Sequence, residues 1–265
     1  MARLSATIRS AALRSNTRVE IIFPQTPNPD YKKLPAQSAN LKILYLLHGM
    51  MGNSSCWVNN TRLNYYVNSA QSYVVIMPEV QNSFYSDMVF GADYFSYVAY
   101  ELPRIIEEMF NVKHTPQNTF IAGLSMGGYG ALRIALSRPD FYAACASFSG
   151  ALDVQFLLSR LSEMDEWNNR LTISILGTEK VLPENGNLFT LAENLAHKVE
   201  KPRVLITCGT EDTALIEGNR AFSAYLEKLP FPHAYKEWAG LHDWNFWEEC
   251  LPVMFNYFNL EGDFA

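Results

Sequence analysis

Thr119-Phe120-Ile121-Ala122-Gly123-Leu124-Ser125-Met126-Gly127-Gly128-Tyr129-Gly130-Ala131 is the stretch on which the reading of this chain turns. The apolar run 119–122 reads as a short buried strand, and 128–136 reads as a helix. The pentapeptide Gly123-Leu124-Ser125-Met126-Gly127 therefore falls at a strand-to-helix turn. A serine in that turn is forced into strained backbone geometry, while flanking glycines keep Cβ atoms out of the crowded space. Its hydroxyl stands above the sheet, and the helix N-terminus behind it offers unpaired N–H groups to a developing negative charge. The pattern alone also describes a merely tight Gly-rich turn. Its strand–turn–helix setting makes Ser125 the candidate nucleophile.

A serine hydroxyl is a weak nucleophile and needs a base. The chain has five histidines, so elimination is practical. His114 lies in a polar turn, His197 at a solvated helix end, and His233 between Pro232 and the strand expected over 234–238. His48 closes the apolar strand 44–47 and reads as a structural group tying its loop through the ring nitrogens. His242, in Gly240-Leu241-His242-Asp243-Trp244, sits between the last strand and the last helix and is the candidate base. The acid that orients it belongs between Ser125 and His242 in the chain. Asp212, in the loop Gly209-Thr210-Glu211-Asp212 after the strand 203–208, is the choice. Glu211 competes as its neighbour, and Asp153 and Asp243 are weaker candidates. Acyl transfer also needs donors for a tetrahedral oxyanion. The Met126 amide, next after the serine, is one. Met50, in His48-Gly49-Met50-Met51-Gly52, is the other, with Met51 the alternative because one residue of register is not fixed by sequence.

Together with Phe148-Ser149-Gly150-Ala151-Leu152, these motifs resemble the tributyrin esterase branch of the esterase D-like α/β-hydrolases. S-formylglutathione hydrolases, feruloyl esterases and mycolyltransferases are related members. The likeness runs from Ser5 to Phe258. It implies a mostly parallel central sheet of about eight strands, helices on both faces, and a cap insertion after strand six. Carried over by residue, the family's nucleophile falls on Ser125, its acid on Asp212, its base on His242, and its oxyanion amides on Met50 and Met126. The stretch 153–202 departs most from the pattern and leaves the substrate open.

Composition fits a single α/β-hydrolase domain over 1–265, with 153–202 as a cap-like insertion. Of 265 residues, 48% are hydrophobic and 18% charged, the balance of a packed domain rather than a disordered chain. A formal net charge of −6 and the lack of a basic stripe argue against a nucleic-acid partner. Lys32-Lys33 on a Pro-rich loop reads as a solvated turn. Four cysteines form no C-x-x-C pair, and no metal-ligand spacing is present, so neither a metal nor another cofactor is expected. The first 18 residues hold four arginines and no acid, like a transit peptide. The alternation in 5–10 and 17–23 around Ser15-Asn16 instead fits a two-strand hairpin. With no secretory or membrane-spanning apolar run, the expectation is a cytoplasmic protein off the membrane. Its oligomeric state stays open, a homo-oligomer included.

Strands are expected near 5–10, 17–23, 41–47, 73–77, 119–122, 144–148, 203–208 and 234–238. Helices are expected near 94–110, 126–137, 214–229 and 244–258, with Pro103 kinking the first. Pro24 to Ala39 reads as a surface loop. Tyr94, Tyr97 and Tyr100 have helical spacing and read as core rather than a stacking surface, and Trp244 and Trp247 as anchors of the last helix. Phe156, Leu157, Leu161, Met164 and Trp167 are expected to wall a small acyl pocket beside Met50, Met51 and Met126. The leading function is serine carboxylesterase action on short-chain acyl esters through an acyl-enzyme, a small-molecule ester being the partner. The alternatives are an S-formylglutathione hydrolase or acyltransferase of the same family, or an inactive binding protein.

Overall fold

Buried strands with apolar side chains on both faces dictate a sheet covered on both sides, and the computed structural model, which describes residues 1–24, 41–70 and 73–259, has that arrangement. Eight strands form one sheet: β1 (Ala2–Ser10), β2 (Ser15–Phe23), β3 (Lys42–Leu47), β4 (Tyr73–Pro78), β5 (Thr119–Leu124), β6 (Ala144–Phe148), β7 (Arg203–Gly209) and β8 (His233–Trp238). Their spatial order is β1-β2-β4-β3-β5-β6-β7-β8. The β1–β2 and β2–β4 pairs are antiparallel, and all the others are parallel. Within β3, Ile43, Tyr45 and Leu47 enter one core, and Leu44 and Leu46 enter the other.

Helices fill the two layers. On the Leu44 face lie α1 (Cys56–Asn60), α2 (Leu63–Ala70) and, later in the chain, α10 (Trp244–Asn259). The opposite face carries α3 (Tyr94–Ser96), α4 (Leu102–Phe110), α5 (Met126–Ser137), α6 (Val154–Met164), α7 (Glu166–Leu176), α8 (Leu188–Leu195) and α9 (Ile216–Glu227). Three of these, α6 to α8, occupy the long connection from β6 to β7.

Several local expectations change. The helix expected over 94–110 runs on but contains a π-helical turn, Tyr97–Glu101, just ahead of Pro103. The Ala99 carbonyl, four residues before the proline that has no N–H to offer it, accepts from Arg138. Tyr94 and Tyr97 are buried, whereas Tyr100 is exposed. The hairpin turn falls at 11–14, ahead of Ser15-Asn16; Arg14 takes a positive φ, and the Glu101 carboxylate accepts from the Ala11 and Ala12 amides. His114, expected in a polar turn, turns its side chain inward. Its side chain is buried between Tyr45 and Phe141, bonded to the Tyr45 hydroxyl and Glu107, and burial holds its pKa below the usual value. The loop expected from Pro24 to Ala39, with Lys32-Lys33, lies outside the described residues beyond Pro24.

The chain turns from β3 outward to β4, then crosses back to place β5 on the other side of β3. That reversal opens a crevice at the carboxyl ends of β3 and β5, where ligands bind in open α/β sheets. His48 to Gly52 leaves β3 there, and Ser125 leaves β5.

Candidate active site

Ser125 has φ 53° and ψ −119°, a combination that side chains other than glycine avoid. The surroundings hold it: its amide donates to the Phe148 carbonyl (2.9 Å), and its carbonyl accepts from the Ala151 and Tyr129 amides (both 3.1 Å). Gly127 is required by close approach. A Cβ there would stand 2.6 Å from the Leu47 and His48 carbonyl oxygens, so glycine lets the N-terminus of α5 abut the end of β3. At Gly49 a Cβ would stand 2.5 Å from Leu124 Cδ1 and 3.3 Å from the Ser125 Cβ, so glycine lets the β3 loop lie against the turn.

The structure brings the three expected polar groups into line. Asp212, in the loop after β7, accepts at Oδ2 from His242 Nδ1–H at 2.7 Å. With that proton on Nδ1, Nε2 is left as an acceptor for the Ser125 hydroxyl, 3.0 Å away. The Asp212 side chain is 1% exposed and that of His242 is 36% exposed, so the acid is shielded while the imidazole can meet a solute. Trp247 packs edge-on against the His242 ring, with centroids 5.0 Å apart, and Trp244 packs against both Trp247 and Trp57.

The competing carboxylates have other places. Glu211 is exposed. Asp243 accepts from the Asn245 and Phe246 amides and so caps α10, and Asp153 caps α6 through the Phe156 amide. Among the remaining histidines, His48 is a tie: Nδ1–H donates to the Gly49 carbonyl (2.8 Å), Nε2 accepts from the Val80 amide (3.2 Å), and its own carbonyl accepts from the Tyr85 hydroxyl (2.9 Å).

In the loop after β3, the Met51 amide donates to Asn82 Oδ1 (2.7 Å) and the Gly52 amide to the Gly49 carbonyl (3.1 Å). Neither the Met50 nor the Met126 amide has an acceptor among the described residues. Sequence reasoning does not single out Asn82 or Arg133. Asn82 follows β4, next to the crevice, and the strand-order reversal is the signal that would have pointed to it. Arg133 is fully buried on α5, donating to the Tyr85 carbonyl, Ser86 Oγ, and the backbone and side-chain oxygens of Asn185.

The insertion does not make the small closed pocket expected of it. Phe156, Leu157, Leu161 and Met164 line an open groove of about 760 Å³ together with Thr213, Ala214 and Leu215, which follow Asp212. Trp167 is not in its lining, and Met51 is 83% exposed and walls nothing. No cluster of three or more metal-ligating side chains occurs among the described residues.

A serine hydroxyl, an imidazole ready to take its proton, a shielded carboxylate behind it and two unpaired amides are together equipped for acyl transfer. Similarity to known proteins points the same way. The sequence model of the Esterase family matches residues 10–258. An acetyl esterase of Caldicellulosiruptor saccharolyticus is 28% identical over 273 residues, covering 99% of this chain and 100% of its own. Among solved structures, the fluorophosphonate-binding serine hydrolase FphF of Staphylococcus aureus superposes with a TM-score of 0.86 at 26% identity, covering 98% of this chain and 99% of that one. The S-formylglutathione hydrolase FrmB of the same organism gives 0.83 at 26% identity, with 97% and 98% covered. The chain thus belongs to the Esterase family, in the esterase D-like group of α/β-hydrolases, and is a carboxylic ester hydrolase.

Proposed function

We propose that the protein is a serine esterase that cleaves short-chain acyl esters through an acyl-enzyme, with Ser125 as nucleophile, His242 as general base and then general acid, and Asp212 holding the imidazole. The observation that carries this reading is the continuous relay from Ser125 Oγ to His242 Nε2 and from Nδ1 to the shielded Asp212 carboxylate. Ser125 attacks the ester carbonyl as His242 takes its proton. The tetrahedral oxyanion is met by the Met50 and Met126 amides. His242 then protonates the departing alcohol, and a water activated by the same imidazole releases the acid.

Short acyl groups are favoured because an acetyl esterase is similar to this chain along its full length. The whole chain is read as one domain, with 153–202 as a cap whose α6 borders the groove beside the Asp212 loop. No helix among the described residues is long and apolar enough to cross a membrane. All four cysteines are free and buried, which accords with a reducing cytoplasm.

The test is covalent labelling by an alkyl phosphonate, with wild type and Ser125→Ala compared. The expected result is stoichiometric labelling of the wild type and none of the variant. Full labelling of Ser125→Ala would place the nucleophile elsewhere. A hydrolysis panel from acetyl to decanoyl p-nitrophenyl esters, with S-formylglutathione added, is expected to peak between acetyl and butyryl. A rate still rising at decanoyl would reject the short-chain reading.

A further inference from the structure

Residues 49–52 close a β-turn through the Gly52 amide and the Gly49 carbonyl. Of its two central residues only Met51 has a positive φ, 62°. That combination defines a type II turn, whose second central position is normally glycine or asparagine because a Cβ is strained there. Methionine holds the position here. Its amide is the one that donates to Asn82 Oδ1.

Type I and type II turns differ in the orientation of the central peptide, which rotates through about 180° between them. Rotation would relieve Met51 of its positive φ, so the unaided loop favours the other form. It would also carry the Met50 carbonyl to the side now occupied by the Met51 N–H. Asn82 Oδ1 accepts from the N–H that faces it now and so favours the present orientation.

The arm that carries Asn82 is itself held. Gln81, Phe84 and Tyr85 all have positive φ, and Gln81 and Tyr85 are pinned by hydrogen bonds. The Glu79 carboxylate accepts from the Ser54 and Gln81 amides, Ser83 Oγ accepts from the Tyr85 amide, and Arg133 donates to the Tyr85 carbonyl. The Tyr85 hydroxyl returns to the His48 carbonyl at the start of the oxyanion loop. Two loops are thereby cross-braced, one after β3 and one after β4.

We propose that Asn82 is a positioning residue for ester hydrolysis: its side-chain carbonyl pairs the Met51 amide and holds the Met50–Met51 peptide in the strained orientation, fixing the turn from which the Met50 amide, carried by the adjoining Gly49–Met50 peptide, projects. The inference rests on the assignment of Met50 as an oxyanion donor. Donors fixed before the reaction stabilise the transition state without reorganising, so loss of the brace falls on kcat.

The experiment is a double-mutant cycle on Asn82→Ala and Met51→Gly, read by steady-state hydrolysis of p-nitrophenyl acetate and by thermal melting. Asn82→Ala is expected to lower kcat about 10- to 100-fold, with KM within about two-fold. In the Met51→Gly background the same substitution should cost less than about three-fold, because glycine accepts the positive φ without strain. A purely structural role for Asn82 would lower the melting temperature without this background dependence. Unchanged kcat in Asn82→Ala, or an equal loss in both backgrounds, would overturn the proposal. Should the single variant fold poorly, the double variant decides: kcat near that of Met51→Gly supports the brace, and a 10-fold or greater loss rejects it. Failure of the underlying mechanism is separate, because it would show as phosphonate labelling of Ser125→Ala.

Discussion

At the scale of single residues, burial sorts the acids more firmly than chain order does. Asp212 and Glu211 are neighbours at the end of β7, yet only Asp212 turns inward to the imidazole. Asp212→Asn is expected to lower kcat by roughly 10⁴, because the amide stabilises the wrong imidazole tautomer, while Glu211→Gln stays near wild type. Steady-state kinetics on the two variants checks this, and the reverse ranking would move the acid to Glu211. Ser125 carries a second expectation. Its positive φ stores about 1–3 kcal/mol of strain, which glycine releases. Ser125→Gly and Ser125→Ala should both be inactive, but the glycine variant should melt at the higher temperature. Equal melting temperatures would mean that the turn is not strained.

At the scale of elements, α5 is fastened to its neighbours by a cation that has no carboxylate partner among the described residues. Arg133 links it to the Tyr85–Ser86 loop and to Asn185 in the insertion, and the Tyr129 hydroxyl adds a bond to the Gly186 carbonyl. Arg133→Met would strand four acceptors, of which the Tyr85 carbonyl and Ser86 Oγ are buried, at a cost of roughly 3 kcal/mol in a urea melt. Farther out, Arg220 on α9 grips Glu237 on β8 with two bonds of 2.9 Å. The Arg220 guanidinium, aided by the Tyr235 hydroxyl, pulls the Glu237 carboxyl down to about 2. A carboxylate whose folded pKa is depressed contributes stability above its unfolded pKa and loses it as pH falls through the folded value. The melting-temperature gap between wild type and Glu237→Gln should therefore be full above about pH 4.5 and shrink toward pH 2. The pair is exposed, so the gap should be modest and should narrow in high salt. A gap independent of pH would dissociate the ion pair from stability.

Over the whole molecule, the same buried strands that carry the site made most of the fold legible. β3 to β7 are short apolar runs because both their faces are covered, and Ser125, Asp212 and His242 follow strand ends that can be found by that pattern. The rest depended on contacts distant in sequence. Helices α1 and α2 are short and carry no charge in their first or last turns to announce them. His114 and Arg133 look like surface residues until Phe141 and Asn185 arrive from elsewhere to cover them. The open groove by α6 required the docking of the insertion, which no local periodicity encodes. The cysteines offer a test of how complete the burial is. Desolvation pushes the Cys56 thiol up to about 11 and that of Cys208 up to about 12, and raises Cys145 and Cys250 further. Thiol reagents should therefore leave activity intact in the native state and titrate four groups only after denaturation. Rapid native labelling with loss of activity would reveal an opening the packing does not show.

The strand order also sets when the enzyme becomes an enzyme. Met50 and Ser125 belong to loops after β3 and β5, whereas His242 comes only after β8, the sheet's last strand to leave the ribosome and an edge strand. Under the proposed mechanism, a nascent chain that has built six strands holds a nucleophile with no base. Contacts so distant in sequence form late, after their loop-closure entropy has been met. During refolding, hydrolysis should accordingly lag the burial of the tryptophans or coincide with its final phase, making turnover a clock for completion of the fold.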